Sequence, residues 1–153
     1  VEGDIANASI GEKGVRLSPI QVASLLAVGA NDGYAGTPRL VRQNTEQKGN
    51  VVQEFSVQQP LRAIQASTAA QLRDYLKQVV DSGTGKRASS DIVTTGGKTG
   101  TSQYQGVWFA GMVPVEEPRW TIAIYLSERE AGGQEGALIF KEIAEKLAVL
   151  EGF

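Results

Sequence analysis

Three β-prone stretches follow one another with almost no chain between them: about Asp91 to Thr101, Gly106 to Pro114 and Arg119 to Leu126. Parallel neighbours need a crossover of a dozen or more residues, so connections this short require an antiparallel meander. The third stretch is the most regular. Trp120, Ile122, Ile124 and Leu126 alternate with Thr121, Ala123 and Tyr125, the two-residue period of a strand. After the Gly-rich turn Ala131-Gly132-Gly133 the period becomes helical. Leu138, Ile139, Ile143, Ala144, Leu147 and Leu150 fall on one face, enough apolar surface for a helix to lie across the sheet. The class is α+β, an antiparallel β-meander packed with helices.

Upstream, Val1 to Leu17 carries no clear period, and Ser18-Pro19-Ile20-Gln21 then opens a helix. Ser stands at the cap, Pro at the first turn and Gln three residues after the cap. Its body, Ile20 to Ala30, has few polar interruptions, which places it inside a core, and Asn31-Asp32-Gly33 ends it. Pro38 to Gln43 and Val51 to Val57 read as a surface hairpin across the polar Asn44 to Asn50. A second helix is expected from about Thr68, capped by its hydroxyl with Gln71, through Leu72, Tyr75, Leu76, Val79 and Val80 to a stop at Gly83. Residues 1–153 thus form one unit, mainly helical with a small hairpin over 1–90, and a three-stranded meander plus helix over 91–153.

Composition narrows the chemistry. The chain has no His and no Cys, which excludes a Ser-His-Asp triad, a Cys-His pair and a Cys/His metal site. Acyl transfer here would need Lys, Tyr, Asp or Glu to handle the proton, with an oxygen or amine as nucleophile. The formal net charge is -2 with no long block of one sign, so nucleic acid is not the expected partner. No apolar run approaches the ~18 residues that span a bilayer. The sequence opens at Val1 without a signal-peptide pattern, so a targeting segment is expected to have been removed or to lie outside it.

The densest functional candidate is Gly96-Gly97-Lys98-Thr99-Gly100-Thr101-Ser102. Gly97 and Gly100 would let a strand backbone approach a ligand, Thr99 and Thr101 offer hydroxyls to an anion, and Lys98 adds positive charge. A Gly-rich strand bend with a solvated lysine has the same spacing. A phosphate-binding loop does not, because the required glycine five residues before Gly85-Lys86 or Gly97-Lys98 is replaced by Val80 or Ile92.

Ile10-Gly11-Glu12-Lys13-Gly14 with Leu17 to Ala23, Val79 to Gly85, Gly97 to Gln103, and Trp108 to Pro114 occur in that order along the chain. Together they resemble the C-terminal part of the transpeptidase domain of penicillin-binding proteins, most closely the class B, monofunctional members. Lys-Thr-Gly is shared with the serine β-lactamases. The resemblance implies a partial penicillin-binding transpeptidase or serine β-lactamase-like fold. It also implies a serine D,D-transpeptidase that acts on the D-Ala-D-Ala end of a peptidoglycan stem peptide and is acylated by β-lactam antibiotics. On this resemblance Lys98 supplies positive potential, Thr99, Gly100 and Thr101 line the substrate carboxylate, the Thr101 N–H is an oxyanion donor, and Ser102 borders the site. No cofactor and no metal are implied. The implied location is the extracytoplasmic face of a bacterial envelope, with an anchor outside this chain.

Two family elements have no counterpart in the sequence. The residues three before the seven lysines are Ile10, Thr45, Asp74, Gly83, Thr95, Leu138 and Ile143, so Ser-x-x-Lys does not occur. The residues two before the four asparagines are Ile5, Gly29, Arg42 and Lys48, so Ser-x-Asn does not occur. The nucleophile is therefore expected in a missing N-terminal part of the domain, cut away, proteolysed or separately encoded, and the chain alone is expected to be inactive. In the family's topology that part also carries two further strands and covering helices, so the chain alone is expected to self-associate, edge to edge through Asp91 to Thr101 or by exchanging helices. A non-catalytic module binding peptidoglycan or a partner, and a serine β-lactamase, are the alternatives. Trp108, Phe109 and Trp120 read as core, Glu116-Glu117 and Glu128-Arg129-Glu130 as solvated turns, and Lys86-Arg87 as a surface patch.

Overall fold

The computed structural model describes residues 2–9, 11, 15–101, 106–127 and 133–152. Its elements run α1 (Glu2–Ser9), α2 (Pro19–Ala30), β1 (Tyr34–Ala35), β2 (Gln43–Thr45), β3 (Val51–Glu54), β4 (Leu61–Arg62), α3 (Ala66–Ser82), a 3-10 turn (Lys86–Ala88), β5 (Gly96–Thr101), β6 (Val107–Val113), β7 (Trp120–Leu126) and α4 (Gly133–Glu151). The last three strands form the expected antiparallel meander in the order β5-β6-β7.

Local signals placed α2 well. Ser18 N–H donates to Gln21 Oε1 at 2.8 Å, the reciprocal half of a capping box, and Pro19 takes the first helical position. The surroundings of α2 differ from expectation. Gly29 is its one buried residue, while Ile20 and Leu25 stand exposed, so the helix packs one side on the sheet and leaves the other bare.

Three boundaries move for identifiable reasons. Helix α3 starts at Ala66 behind Gln65, because Ala69 N–H already donates to Gln65 O at 3.0 Å; Thr68 lies inside the first turn and caps nothing. Strand β5 starts at Gly96, not Asp91. Ser90 Oγ accepts from Ile92 N–H at 3.0 Å, and buried Thr95 donates its hydroxyl to Ala88 O at 2.8 Å, so side-chain bonds hold this stretch in bends. The hairpin forms between β2 and β3, with Gly49 at φ +87° turning the loop, so pairing falls on Gln43–Thr45, extended by one bond from Phe55 N–H to Arg42 O at 3.0 Å, and leaves out Pro38 to Val41. Helix α1, which has no apolar stripe, and the two-residue pair β1-β4 that brackets the hairpin were not anticipated.

The core lies between the sheet and α4. Val80, Phe109, Val113, Phe140 and Ala144 pack together, with Ile122, Ile124 and Leu147 at the margin. The rings of Phe109 and Phe140 meet at 4.9 Å between centroids. The buried stripe of α4 is Ala137, Phe140, Ala144 and Ala148, a rotation from the expected one that leaves Leu138, Ile139, Ile143 and Leu150 exposed. Small residues account for the rotation. A Cβ on Gly136 would lie 3.0 Å from Phe109 Cβ, and one on Gly111 2.8 Å from the Phe140 ring, so the helix can sit close to β6 only along this line.

Candidate active site

Strand β5 is an edge strand among the described residues, paired with β6 in the register Gly97↔Gly111, Lys98↔Ala110, Thr99↔Phe109, Gly100↔Trp108 and Thr101↔Val107. Alternation puts Gly97, Thr99 and Thr101 on the side of Phe109 and the core. Lys98 and Gly100 fall on the opposite side, with Trp108, Ala110 and Met112. That second side faces α2, where Met112 Cε lies 3.8 Å from the position of a Gly29 Cβ.

Gly97 serves packing rather than the ligand approach expected of it. A Cβ on Gly97 would stand 2.7 Å from the Phe109 ring and 2.9 Å from Ala110 O, and both Gly97 and Gly96 are buried. The Phe109 ring occupies the space a side chain would need. Gly100 is looser, with Trp108 Cβ 3.3 Å from its virtual Cβ.

Lys98 and Thr99 start on opposite faces and meet at the strand. Lys98 Nζ donates to Thr99 O at 2.9 Å and lies 3.4 Å from Thr99 Oγ1. Lys98 is exposed and forms no ion pair among the described residues. Lys77 on α3 contrasts with it. Its ammonium sits 2.9 Å from Asp81, whose hydrogen bond raises the Lys77 pKa above the ordinary lysine value. Lys98 is thus the cation of the site strand that no carboxylate neutralises within the described chain.

Thr101 is exposed at the end of β5, and Ser102 lies outside the described residues, as do Glu12 to Gly14, Gln103 and Glu128 to Glu130. Sequence reasoning assigned no role to Thr84, yet its Oγ1 lies 2.9 Å from Thr99 Oγ1. Its only signal was membership of the Val79 to Gly85 stretch.

Below Lys98 a groove of about 450 Å³ runs between α2, α3 and the sheet, lined chiefly by Leu25, Leu26, Leu72, Leu76, Trp108 and Met112. Its walls are apolar and its rim carries Lys98, Thr99 and Gly100. Phe109 is fully buried, as a core reading expects; Trp108 is half-buried and lines the groove, its ring 4.7 Å from that of Tyr125, and Trp120 is exposed, so neither belongs to the core. Tyr125 in turn lies over Gly106, where a Cβ would come 2.1 Å from its ring. An exposed ammonium, hydroxyls and an open strand edge suit recognition of an anionic peptide-like ligand.

Residues 1–145 match the family model described as penicillin binding protein transpeptidase domain. The chain is 32% identical to penicillin-binding protein PbpB of Mycolicibacterium smegmatis, covering 93% of this chain and 25% of that protein. It is 27% identical to the peptidoglycan D,D-transpeptidase PbpA of the same organism, over 79% of this chain and 26% of that one. Among solved structures, penicillin binding protein 3 of Mycobacterium tuberculosis complexed with aztreonam superposes with a TM-score of 0.85 at 27% identity, covering 96% of this chain and 38% of that one. The D,D-transpeptidase domain of a peptidoglycan glycosyltransferase from Eggerthella lenta gives 0.75 at 32% identity, covering 86% and 32%. The chain spans about a quarter of the length of the curated relatives it matches.

Proposed function

The chain belongs to the penicillin-binding protein transpeptidase family, and on that premise we propose that residues 1–153 act as the C-terminal portion of a serine D,D-transpeptidase domain. In this reading β5 is the ligand-binding wall. Lys98 supplies the positive potential, Thr99 and Thr101 hold the terminal carboxylate of a D-Ala-D-Ala stem peptide or of a β-lactam, Gly100 keeps the wall open, and Ser102 borders it. The Thr101 N–H is one oxyanion donor. The serine and its lysine base come from a Ser-x-x-Lys helix in residues beyond these. That serine attacks the penultimate D-Ala carbonyl, D-Ala leaves, and an amine of a neighbouring stem takes the acyl group. A β-lactam acylates the same serine by ring opening.

The observation that carries the reading is the exposed Lys98 ammonium against Thr99 on an open strand, at the rim of the apolar groove. Acting on peptidoglycan puts the domain at the outer face of a bacterial envelope, held by an anchor carried elsewhere; no helix among the described residues is long and apolar enough to cross a membrane.

Incubation with a fluorescent penicillin followed by denaturing electrophoresis tests the reading. The 153-residue chain alone remains unlabelled, because it contains neither Ser-x-x-Lys nor Ser-x-Asn. The full-length protein takes up label at a serine outside these residues. A labelled band at 16.3 kDa overturns the division of labour, and a full-length protein that takes up no label overturns the enzymatic reading in favour of a binding module.

A further inference from the structure

The Ser82-Gly83-Thr84-Gly85 stretch that ends α3 has no part in the function proposed above, and its geometry points to one. The N–H groups of Gly83 and Gly85 both donate to Val79 O, each at 3.0 Å. A Cβ on Gly83 would lie 2.9 Å from that oxygen, and one on Gly85 3.2 Å from it and from Val79 Cγ1. The two glycines therefore let the chain fold tightly against the helix end, and the turn fixes where Thr84 stands. Thr84 is exposed, with its Oγ1 2.9 Å from Thr99 Oγ1.

A hydroxyl has one proton to donate and two lone pairs to accept with. Thr99 Oγ1 has two polar neighbours, Thr84 Oγ1 at 2.9 Å and Lys98 Nζ at 3.4 Å. The ammonium can only donate. When Thr84 also donates, both Thr99 lone pairs are engaged and the Thr99 proton must point away from the cluster, toward a ligand at the strand. When Thr84 accepts instead, that proton is consumed internally and Thr99 turns a lone pair to the ligand, which repels an anion.

We infer that Thr84 is a positioning residue for an anionic ligand: its hydroxyl donates to Thr99 and directs the Thr99 proton outward to a carboxylate. The inference rests on the proposed ligand-binding role of β5. Binding of the carboxylate selects the outward arrangement, and each bond in the chain Thr84 to Thr99 to carboxylate polarises the next. A threonine that merely ties α3 to β5 would be indifferent to the charge of the ligand.

The test is acylation of the full-length protein, followed by intact-protein mass spectrometry, with benzylpenicillin and with its methyl ester, which lacks the carboxylate charge. Thr84→Val slows acylation by the free acid about fivefold to tenfold, the worth of one hydrogen bond, and leaves the rate with the ester unchanged. Thr84→Ser, which keeps the hydroxyl, restores the wild-type rate. Thr84→Val adds no further loss in a Thr99→Val background. Equal slowing with both ligands, a wild-type rate in Thr84→Val, or a full additional loss in the double variant overturns the inference while the enzymatic reading stands. A wild-type protein that neither ligand acylates overturns that reading and the inference with it.

Discussion

The two faces of the three-stranded sheet are built from the same strands and end in opposite states. On the α4 side, Phe109, Val113 and Phe140 are fully buried and glycines at 97, 111 and 136 let ring and backbone meet. On the α2 side Met112 and Ala110 are covered, but the helices above them are not: Leu25 is 65% exposed, Tyr75 61% and Ile20 59%. Residues of similar hydrophobicity thus form a closed core on one side and an open groove on the other. The difference lies in the layers available. Helix α4 with its small-residue stripe, joined by Val80 at the end of α3, seals the first face, whereas α2 and the side of α3 that carries Leu72 and Leu76 flank the second without closing over it.

The sharpest way to break the contrast is to damage the sealed face. Phe140→Ala removes a buried ring packed at a tilt against Phe109 and should cost about 3–5 kcal/mol in denaturant unfolding. A loss under about 1 kcal/mol would mean that the α4 face is no tighter than the groove. Next in size is a change that should leave folding alone. In the full-length protein Lys98→Ala slows β-lactam acylation by roughly a hundredfold, and Thr101→Val, which keeps its N–H and loses only the hydroxyl bond to the carboxylate, by roughly tenfold or more, both with thermal stability preserved. Acylation at the wild-type rate would remove β5 from the site.

Gly97→Ala probes the strand from behind. The added methyl meets the Phe109 ring and the Ala110 carbonyl, and the cost of overpacking should be about 1–3 kcal/mol, read as a lower unfolding midpoint. The smallest effect is expected at Leu25. Leu25→Ser should lower the stability of the 153-residue chain by less than about 1 kcal/mol, because most of that side chain is already in water. It should nevertheless weaken the self-association we expect of that chain, measured by size-exclusion chromatography with light scattering. A wild-type chain that stays at 16.3 kDa across a wide concentration range would show that the open face needs no partner.

The sequence made some of this legible and hid the rest for physical reasons. Ser18, Pro19 and Gln21 act within one turn, so α2 could be bounded from local chemistry alone. The meander was legible because short connections leave one solution, and the placement of Lys98, Thr99 and Thr101 on one strand because they fall within its β-prone run. What could not be read depends on contacts distant along the chain. Ala137, Ala144 and Ala148 carry little hydrophobic weight, yet their small size decides which side of α4 approaches the sheet. Gly97 looked like a ligand clearance until Phe109 was seen to fill it. The pairing of Tyr34–Ala35 with Leu61–Arg62 spans the whole hairpin and leaves no local trace.

The ring of Phe109 behind Gly97 bears on how such a site can evolve. The rear of the proposed ligand wall is the hydrophobic core at Gly97, so its backbone cannot be reshaped there without repacking Phe109, Phe140 and α4 together. Adaptation to a new ligand, or escape from an inhibitor, is therefore channelled away from the strand's path. On the proposed reading it works through Lys98, Thr99 and Thr101 along the open edge of β5 and through the turn that carries Thr84.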